Sequence, residues 1–122
     1  MFEFGDYVLD PSRRALTRGR EPVAIPPQVF DLLLHLVQNS DRVVSKDDLF
    51  ETVWHGRIVS ESTLTSHINA ARKAIGDSGA EQLSIRTFSR KGFRFVCDVR
   101  KVPSVNAMNM MPLSSSLKLL KN

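Results

Sequence analysis

The segment at residues 86–95, RTFSRKGFRF, combines four cationic side chains with three aromatic rings and one glycine. Arginine and lysine bind phosphate groups, whereas aromatic rings usually pack into a core. Residues 86–101 contain six bases and one acid, while residues 41–51 contain four acids and two bases. This uneven distribution, with a net charge of +4, predicts a basic end of the molecule that can bind a polyanion.

A second candidate binding surface lies in residues 61–75. Its apolar residues recur at helical spacing, at Leu64, Ile68, Ala71 and Ile75. The opposite face would carry short polar and cationic side chains, at Ser62, Thr65, Ser66, Asn69, Arg72 and Lys73. Such a helix has the size and hydrogen-bonding groups to enter a DNA major groove, where an asparagine amide can pair with adenine. For the helix alone, an ordinary solvent-exposed face remains the alternative.

Other elements would have to position these two surfaces. Residues 2–25 contain four short strand patterns separated by turn residues, which predicts an antiparallel sheet. Pro26 and Pro27 precede a helical pattern that fades near Asn39. Ser45, followed by acids, is typical of the start of a helix and predicts a second, short one.

The basic segment is expected to form a β-hairpin. Its strands lie near residues 85–88 and 93–96, and Gly92 would supply the positive φ that a short loop needs. Arg90 and Lys91 would lie at the tip. The phenylalanines are expected to anchor the hairpin to the core, at Phe88, Phe93 and Phe95.

Length and composition set the class of protein. The chain has 122 residues, with 42% apolar and 25% charged residues, which is typical of one globular domain. A single cysteine, Cys97, excludes an internal disulfide, and no apolar run has the length of a membrane helix, so we expect a cytoplasmic protein. Residues 1–102 would form the domain, and the acid-free residues 103–122 a linker or a truncated or disordered tail.

The sequence gives little indication of catalysis or of metal binding. Residues 76–79, GDSG, are similar to the nucleophile segment of trypsin-like proteases, but nothing indicates a positioned base or an oxyanion site. The three histidines, His35, His55 and His67, form no pair at metal-binding spacing. We therefore expect no enzyme activity, no metal and no cofactor.

Three pieces together, RVVSKDDLFETVW, STLTSHINAARKAIGD and IRTFSRKGFRFV, resemble the winged helix-turn-helix domain of OmpR/PhoB-type transcriptional regulators. The resemblance covers residues 3–97 and implies an α+β fold with an N-terminal four-stranded antiparallel sheet, three helices and a C-terminal β-hairpin wing. It implies sequence-specific binding of double-stranded DNA by a bacterial-type regulator. The recognition helix, residues 61–75, would enter the major groove, and the wing tip, residues 89–92, would contact the minor groove or backbone. A winged-helix protein-interaction module without DNA binding remains the alternative.

The resemblance also implies site residues. The family's base-reading positions correspond to Ser66, Asn69 and Ala70. Its phosphate-contacting positions correspond to Ser62, His67, Arg72, Lys73, Thr87 and Phe93, and its wing tip to Arg90 and Lys91. Several members have arginine where this chain has Ser62, Asn69 and Ala70, which implies a different preferred base sequence. Phe93 replaces a common tyrosine and so lacks a hydroxyl.

Partners are implied in the same way. The loop between the second and third helices can contact RNA polymerase in the family, and here Arg57, Ile58 and Val59 are the exposed candidates, with a packed connector as the alternative. A homodimer on repeated half-sites is a further expectation. With no phosphoacceptor domain before residue 3, the placement is similar to that in ToxR-, CadC- and HilA-like regulators.

Overall fold

The computed structural model describes residues 1–102, so the expected tail at residues 103–122 lies outside the described residues. The described part contains, in chain order, β1 Phe2–Phe4, β2 Tyr7–Asp10, β3 Ala15–Arg18, β4 Glu21–Val23, α1 Pro27–Gln38, β5 Val44–Ser45, α2 Lys46–Thr52, α3 Glu61–Ala74, β6 Ile85–Phe88, β7 Gly92–Phe95 and β8 Arg100–Lys101. The predicted α+β class, with three helices and a β-hairpin after them, is confirmed. None of the helices within residues 1–102 has the length and apolar character to span a bilayer.

The N-terminal sheet contains the four predicted strands and one more. Its order is β4-β3-β2-β1-β8, and β8 pairs antiparallel with β1, with Phe2 opposite Lys101. Beside this pair, Arg100 forms a salt bridge with Glu3 at 3.1 Å. The four-stranded prediction was one strand short because a two-residue strand is too short to show a pattern. The chain therefore returns to its first sheet after the hairpin.

The helix starts follow the capping chemistry of the sequence. Pro27 occupies the first turn of α1. The Ser45 hydroxyl accepts the N–H of Asp48 at 3.0 Å to begin α2, and the Ser60 hydroxyl accepts the N–H of Thr63 at 3.1 Å to begin α3. The predicted positions of all three helices are confirmed to within a residue or two.

One hydrophobic core joins both sheets and the helices. Phe4 of β1 and Phe95 of β7 meet edge to face with ring centroids 4.9 Å apart. Leu33 of α1 and Ile68 of α3 are fully buried in the same core. Because close-packed interiors deform little, α3 and the hairpin are held in a fixed relation to each other.

The hairpin forms part of a second sheet, with the order β5-β7-β6. Gly92, where β7 begins, lies opposite Ser45 and has a φ of +146°. A Cβ at this position would overlap the carbonyl group of Val44, so only glycine fits. The predicted positive φ at Gly92 is confirmed, and Arg90 adopts a second one, of +66°.

Candidate nucleic-acid interface

The outer face of α3 carries most of the predicted polar side chains. Ser62, Thr65, Ser66, Asn69 and Lys73 are exposed, while the helix buries its apolar face in the core. The helical spacing of the apolar residues therefore predicted correctly which face of this helix is buried. Its exposed side chains offer hydroxyl and amide groups for hydrogen bonding and one ammonium group.

Arg72 was predicted to lie on the same outer face, and this placement is wrong. Only 4% of the surface of Arg72 is exposed to solvent. The guanidinium donates from Nε to the carbonyl of Ile85 at 3.0 Å, from Nη2 to Thr87 Oγ1 at 2.8 Å, and from Nη1 to Asn69 Oδ1 at 3.3 Å. Burial lowers the pKa of Arg72, although the nearby charge of Asp77 opposes that effect. The acceptors of β6 thus hold Arg72 inward and leave little of it for a phosphate.

His67 is half-buried between the outer face and the core. Its ring meets Trp54 edge to face at a centroid distance of 5.4 Å, and its Nδ1 lies 2.8 Å from the carbonyl oxygen of Thr63. A carbonyl only accepts, so Nδ1 carries the proton of this hydrogen bond. A hydrogen bond from Nε2 to a phosphate therefore requires the imidazolium form.

The tip of the hairpin is exposed and cationic. Arg90 and Lys91 both point away from the core, and within residues 1–102 neither forms a salt bridge. The N–H of Lys91 donates to the carbonyl of Phe88 at 2.9 Å and closes the turn. Two uncompensated charges at a hairpin tip can approach phosphates or a minor groove.

Two other predicted roles, those of Phe93 and Phe88, need correction. Phe93 is only 7% exposed, so its ring belongs to the core and cannot make the expected phosphate contact. Ala70 is half-buried against the core and offers only a methyl group, and its base-reading role stays a prediction. Phe88 does not anchor the hairpin in the core, because it is half-buried outside it and lies beside the guanidinium of Arg86, 6.0 Å from the ring centroid. Arg86 therefore covers a face of this ring.

A cleft separates α3 from the hairpin and shows that the two surfaces share one side of the molecule. Thr65 of α3 lines one wall, and Phe88 and Arg90 line the other. Thr87 also lines the cleft and is exposed, and its hydroxyl, which accepts the hydrogen bond from Arg72, can still donate its own proton. The outer face of α3 and the hairpin tip are thus presented together.

The connection between α2 and α3 exposes only part of the predicted partner surface. Ile58 is 81% exposed and Arg57 is exposed beside it. Val59 was expected to be exposed, but it is half-buried and packs against the core, one residue before Ser60, the N-cap of α3. Arg57 and Ile58 are therefore the residues of this predicted surface that another molecule can contact.

Asp77 is an important residue that the sequence did not reveal. Its buried carboxylate accepts the backbone N–H groups of Ser78 and Leu83, both at 2.7 Å, and of Ser84 and Ile85, both at 3.0 Å. Burial alone would raise the pKa of Asp77, but these four donors together lower it. Residues 76–79 therefore form a structural turn that fixes the loop between α3 and β6. The only signal was an aspartate directly after the glycine that ends the helix.

Comparison with known proteins decides the family. Residues 19–95 match the family described as "Transcriptional regulatory protein, C terminal", which is the OmpR/PhoB-type DNA-binding domain. The chain belongs to this family. The family is not a class of enzymes, and the DNA-binding interpretation is favoured over an interaction module that lacks it.

Two curated relatives of the chain illustrate its match to this family. The transcriptional activator CadC of Escherichia coli is 28% identical over 96 residues, which is 78% of this chain and 19% of CadC. The phosphate regulon transcriptional regulatory protein PhoB of Escherichia coli is 32% identical over 96 residues, which is 78% of this chain and 42% of PhoB. The chain thus spans less than half the length of either relative.

Solved structures agree with the same family. The DNA-binding domain of Klebsiella pneumoniae RstA, in complex with the RstA box, superposes with a TM-score of 0.68 at 27% identity, covering 76% of this chain and 93% of that one. The DNA-binding domain of Escherichia coli CadC gives a TM-score of 0.69 at 26% identity, covering 81% of this chain and 94% of that one. The predicted winged helix-turn-helix fold is therefore confirmed.

Proposed function

We propose that this OmpR/PhoB-type domain binds double-stranded DNA sequence-specifically, with α3 in the major groove and the hairpin tip on the adjacent minor groove or backbone. The observation that carries the proposal is the shared orientation of the two surfaces across one cleft. A helix with an exposed face of small polar side chains fits the width of the major groove and can approach base edges closely.

Base edges and phosphates would be contacted by different side chains. Thr65, Ser66 and Asn69 lie on the outer face of α3 and carry the hydrogen-bonding groups that distinguish bases. Ser62 and Lys73 lie toward the ends of the same helix and suit the flanking phosphates, together with His67 in its imidazolium form. The Ala70 methyl group could contact only an apolar group such as the thymine methyl.

The hairpin would add the second part of the interface. Arg90 and Lys91 are exposed, and a cationic tip is attracted by the negative potential of a minor groove and its phosphates. The fixed core contacts of β6 and β7 would place this tip at a constant distance from α3.

Protein partners form a secondary part of the proposal. Arg57 and Ile58 are exposed in the loop between α2 and α3 and could contact RNA polymerase, as the resemblance implies. Two copies on repeated half-sites would double the number of base contacts. A genomic DNA target implies action in the cytoplasm, with binding rather than catalysis as the activity.

Selection of bound duplexes from a random pool, at two salt concentrations, tests the proposal. We expect one recurrent sequence motif, bound with an affinity that falls steeply as salt rises. A variant with both Arg90→Ala and Lys73→Ala should bind every duplex more weakly while it selects the same motif. Recovery of random sequences by the unaltered protein would reject sequence-specific binding.

A further inference from the structure

The side-chain amide of Asn69 is held by its neighbour on the helix. Asn69 lies one turn before Arg72 on α3, at the spacing that brings side chains together. Arg72 Nη1 lies 3.3 Å from Asn69 Oδ1. Asn69 is exposed, so the orientation of its amide decides which atoms it presents outward.

The chemistry of Arg72 fixes that orientation. A guanidinium group carries donors and no acceptor, so the oxygen of the amide must face it, with the NH₂ group on the other side. Arg72 cannot turn away readily, because its Nε and Nη2 donate to the Ile85 carbonyl and Thr87 Oγ1. The guanidinium therefore acts as a rigid support for one end of the amide.

The loop after α3 encloses the same end. A Cβ placed on Gly79 would lie 3.5 Å from Asn69 Oδ1 and 3.6 Å from Arg72 Nη1, so the backbone of this loop lies close to both atoms. The oxygen therefore faces Arg72 and the loop, which leaves the Nδ2 amino group on the opposite side of the amide.

We propose that Asn69 presents its NH₂ group to the major groove and so selects a base with a carbonyl acceptor. This inference rests on the proposed DNA binding. A donating amino group can bond guanine at O6 and N7 or thymine at O4, whereas adenine offers N7 beside its N6 amino donor and cytosine offers no acceptor. The two-bond adenine pairing suggested by the sequence needs Oδ1 to face the base and accept from N6, whereas here Oδ1 faces Arg72. Arg72 is the positioning residue of this contact.

The test compares the motifs selected by the unaltered domain and by Asn69→Ala. The position whose base preference disappears in the variant is the one that Asn69 contacts. We expect guanine or thymine there, favoured roughly five- to tenfold over cytosine, as one hydrogen bond provides, and favoured less strongly over adenine, which retains N7 as an acceptor. Cytosine at that position, adenine preferred there to guanine and thymine, or no position that changes, would overturn the inference.

Asn69→Asp provides the matched variant, because it has the same shape and no donor. The carboxylate should abolish the preference for guanine or thymine at that position and favour an amino-bearing base there instead. An unchanged preference would also overturn the inference. Arg72→Met should free the amide and admit adenine, a change of base preference that a purely structural role of Arg72 would not produce.

Sequence-specific binding and the orientation of the Asn69 amide are rejected by different results. If the unaltered protein selects no motif, sequence-specific binding is rejected. If it selects a motif that is indifferent to Asn69, only the orientation of the amide and its role are rejected.

Discussion

Arg72 Nη2 donates to Thr87 Oγ1 at 2.8 Å, so a buried side chain of α3 reaches the first strand of the hairpin directly. Its Nε also donates to the carbonyl of Ile85 in the same strand. The recognition helix and the wing are thereby joined near the cleft that separates them. A surface that is already arranged for DNA loses less conformational entropy on binding.

Replacement of Arg72 by methionine should destabilise the domain. The stem would still fill the space, but the Ile85 carbonyl and the Thr87 hydroxyl would lose their donor, which costs about 2–4 kcal/mol. Urea unfolding measures the loss. Lys73→Met is the matched control on an exposed neighbour and should change the free energy of unfolding by less than about 0.5 kcal/mol. Equal stability of the two variants would contradict the buried role of Arg72.

Asp77→Asn should lower stability at neutral pH by about 1–3 kcal/mol, because the amide offers one acceptor oxygen in place of two. The lowered pKa of Asp77 means that its charge stabilises the fold fully above its ordinary pKa, about 4. That contribution is lost as pH falls through the lowered pKa. Thermal unfolding across pH should therefore show the variant and the parent converging in acid.

Asp6→Asn serves as the control for this series. Within residues 1–102 the Asp6 side chain makes no hydrogen bond, and we expect its replacement to change stability by less than about 0.5 kcal/mol at neutral pH. A neutral-pH loss in Asp77→Asn no larger than in this control would mean that the carboxylate does not hold the loop.

Local chemistry in the sequence predicted most of the fold. The apolar period of residues 61–75 and the capping serine at Ser45 predicted helices that the structure contains. β8 was missed because its pairing with β1 depends on residues about a hundred positions apart. No local pattern contains that information.

The site was predicted less completely than the fold. The hydroxyl and amide side chains of α3 were placed correctly, since the helical period alone separates exposed from buried positions. Arg72 was misplaced because a cationic side chain at the edge of the apolar face can turn either way, and only the acceptors of β6 decide the direction. Asp77 was missed because its four partners follow it in a loop without regular structure.

Gly92→Ala should disrupt the second sheet. The added Cβ would collide with the backbone of Val44, and a φ of +146° is open only to glycine. We expect a loss of more than about 3 kcal/mol or failure to fold, measured by thermal unfolding. Gly19→Ala, with a positive φ and open space around it, should cost only about 1–2 kcal/mol. Similar losses in both variants would contradict the close approach at Gly92.

Arg90→Gly should separate stability from DNA binding at the wing tip. Arg90 has a φ of +66°, so glycine relieves backbone strain, and stability should be unchanged or higher by up to about 1 kcal/mol. DNA affinity should fall, and the slope of log affinity against log salt should decrease in magnitude by about 1, because one phosphate contact is removed. Fluorescence anisotropy at several salt concentrations measures both quantities. Unchanged affinity would show that Arg90 does not contact DNA.

The most direct test of the central claim is the equilibrium affinity for the selected duplex and for a scrambled duplex, measured across salt concentration. The account predicts that the selected duplex is bound at least ~10³-fold more tightly than the scrambled one. It also predicts a log-log salt slope of about −3, as phosphate contacts of the three exposed cations Lys73, Arg90 and Lys91 require. Equal affinities for the two duplexes, or an affinity that barely changes with salt, would contradict recognition of DNA by α3 and the wing.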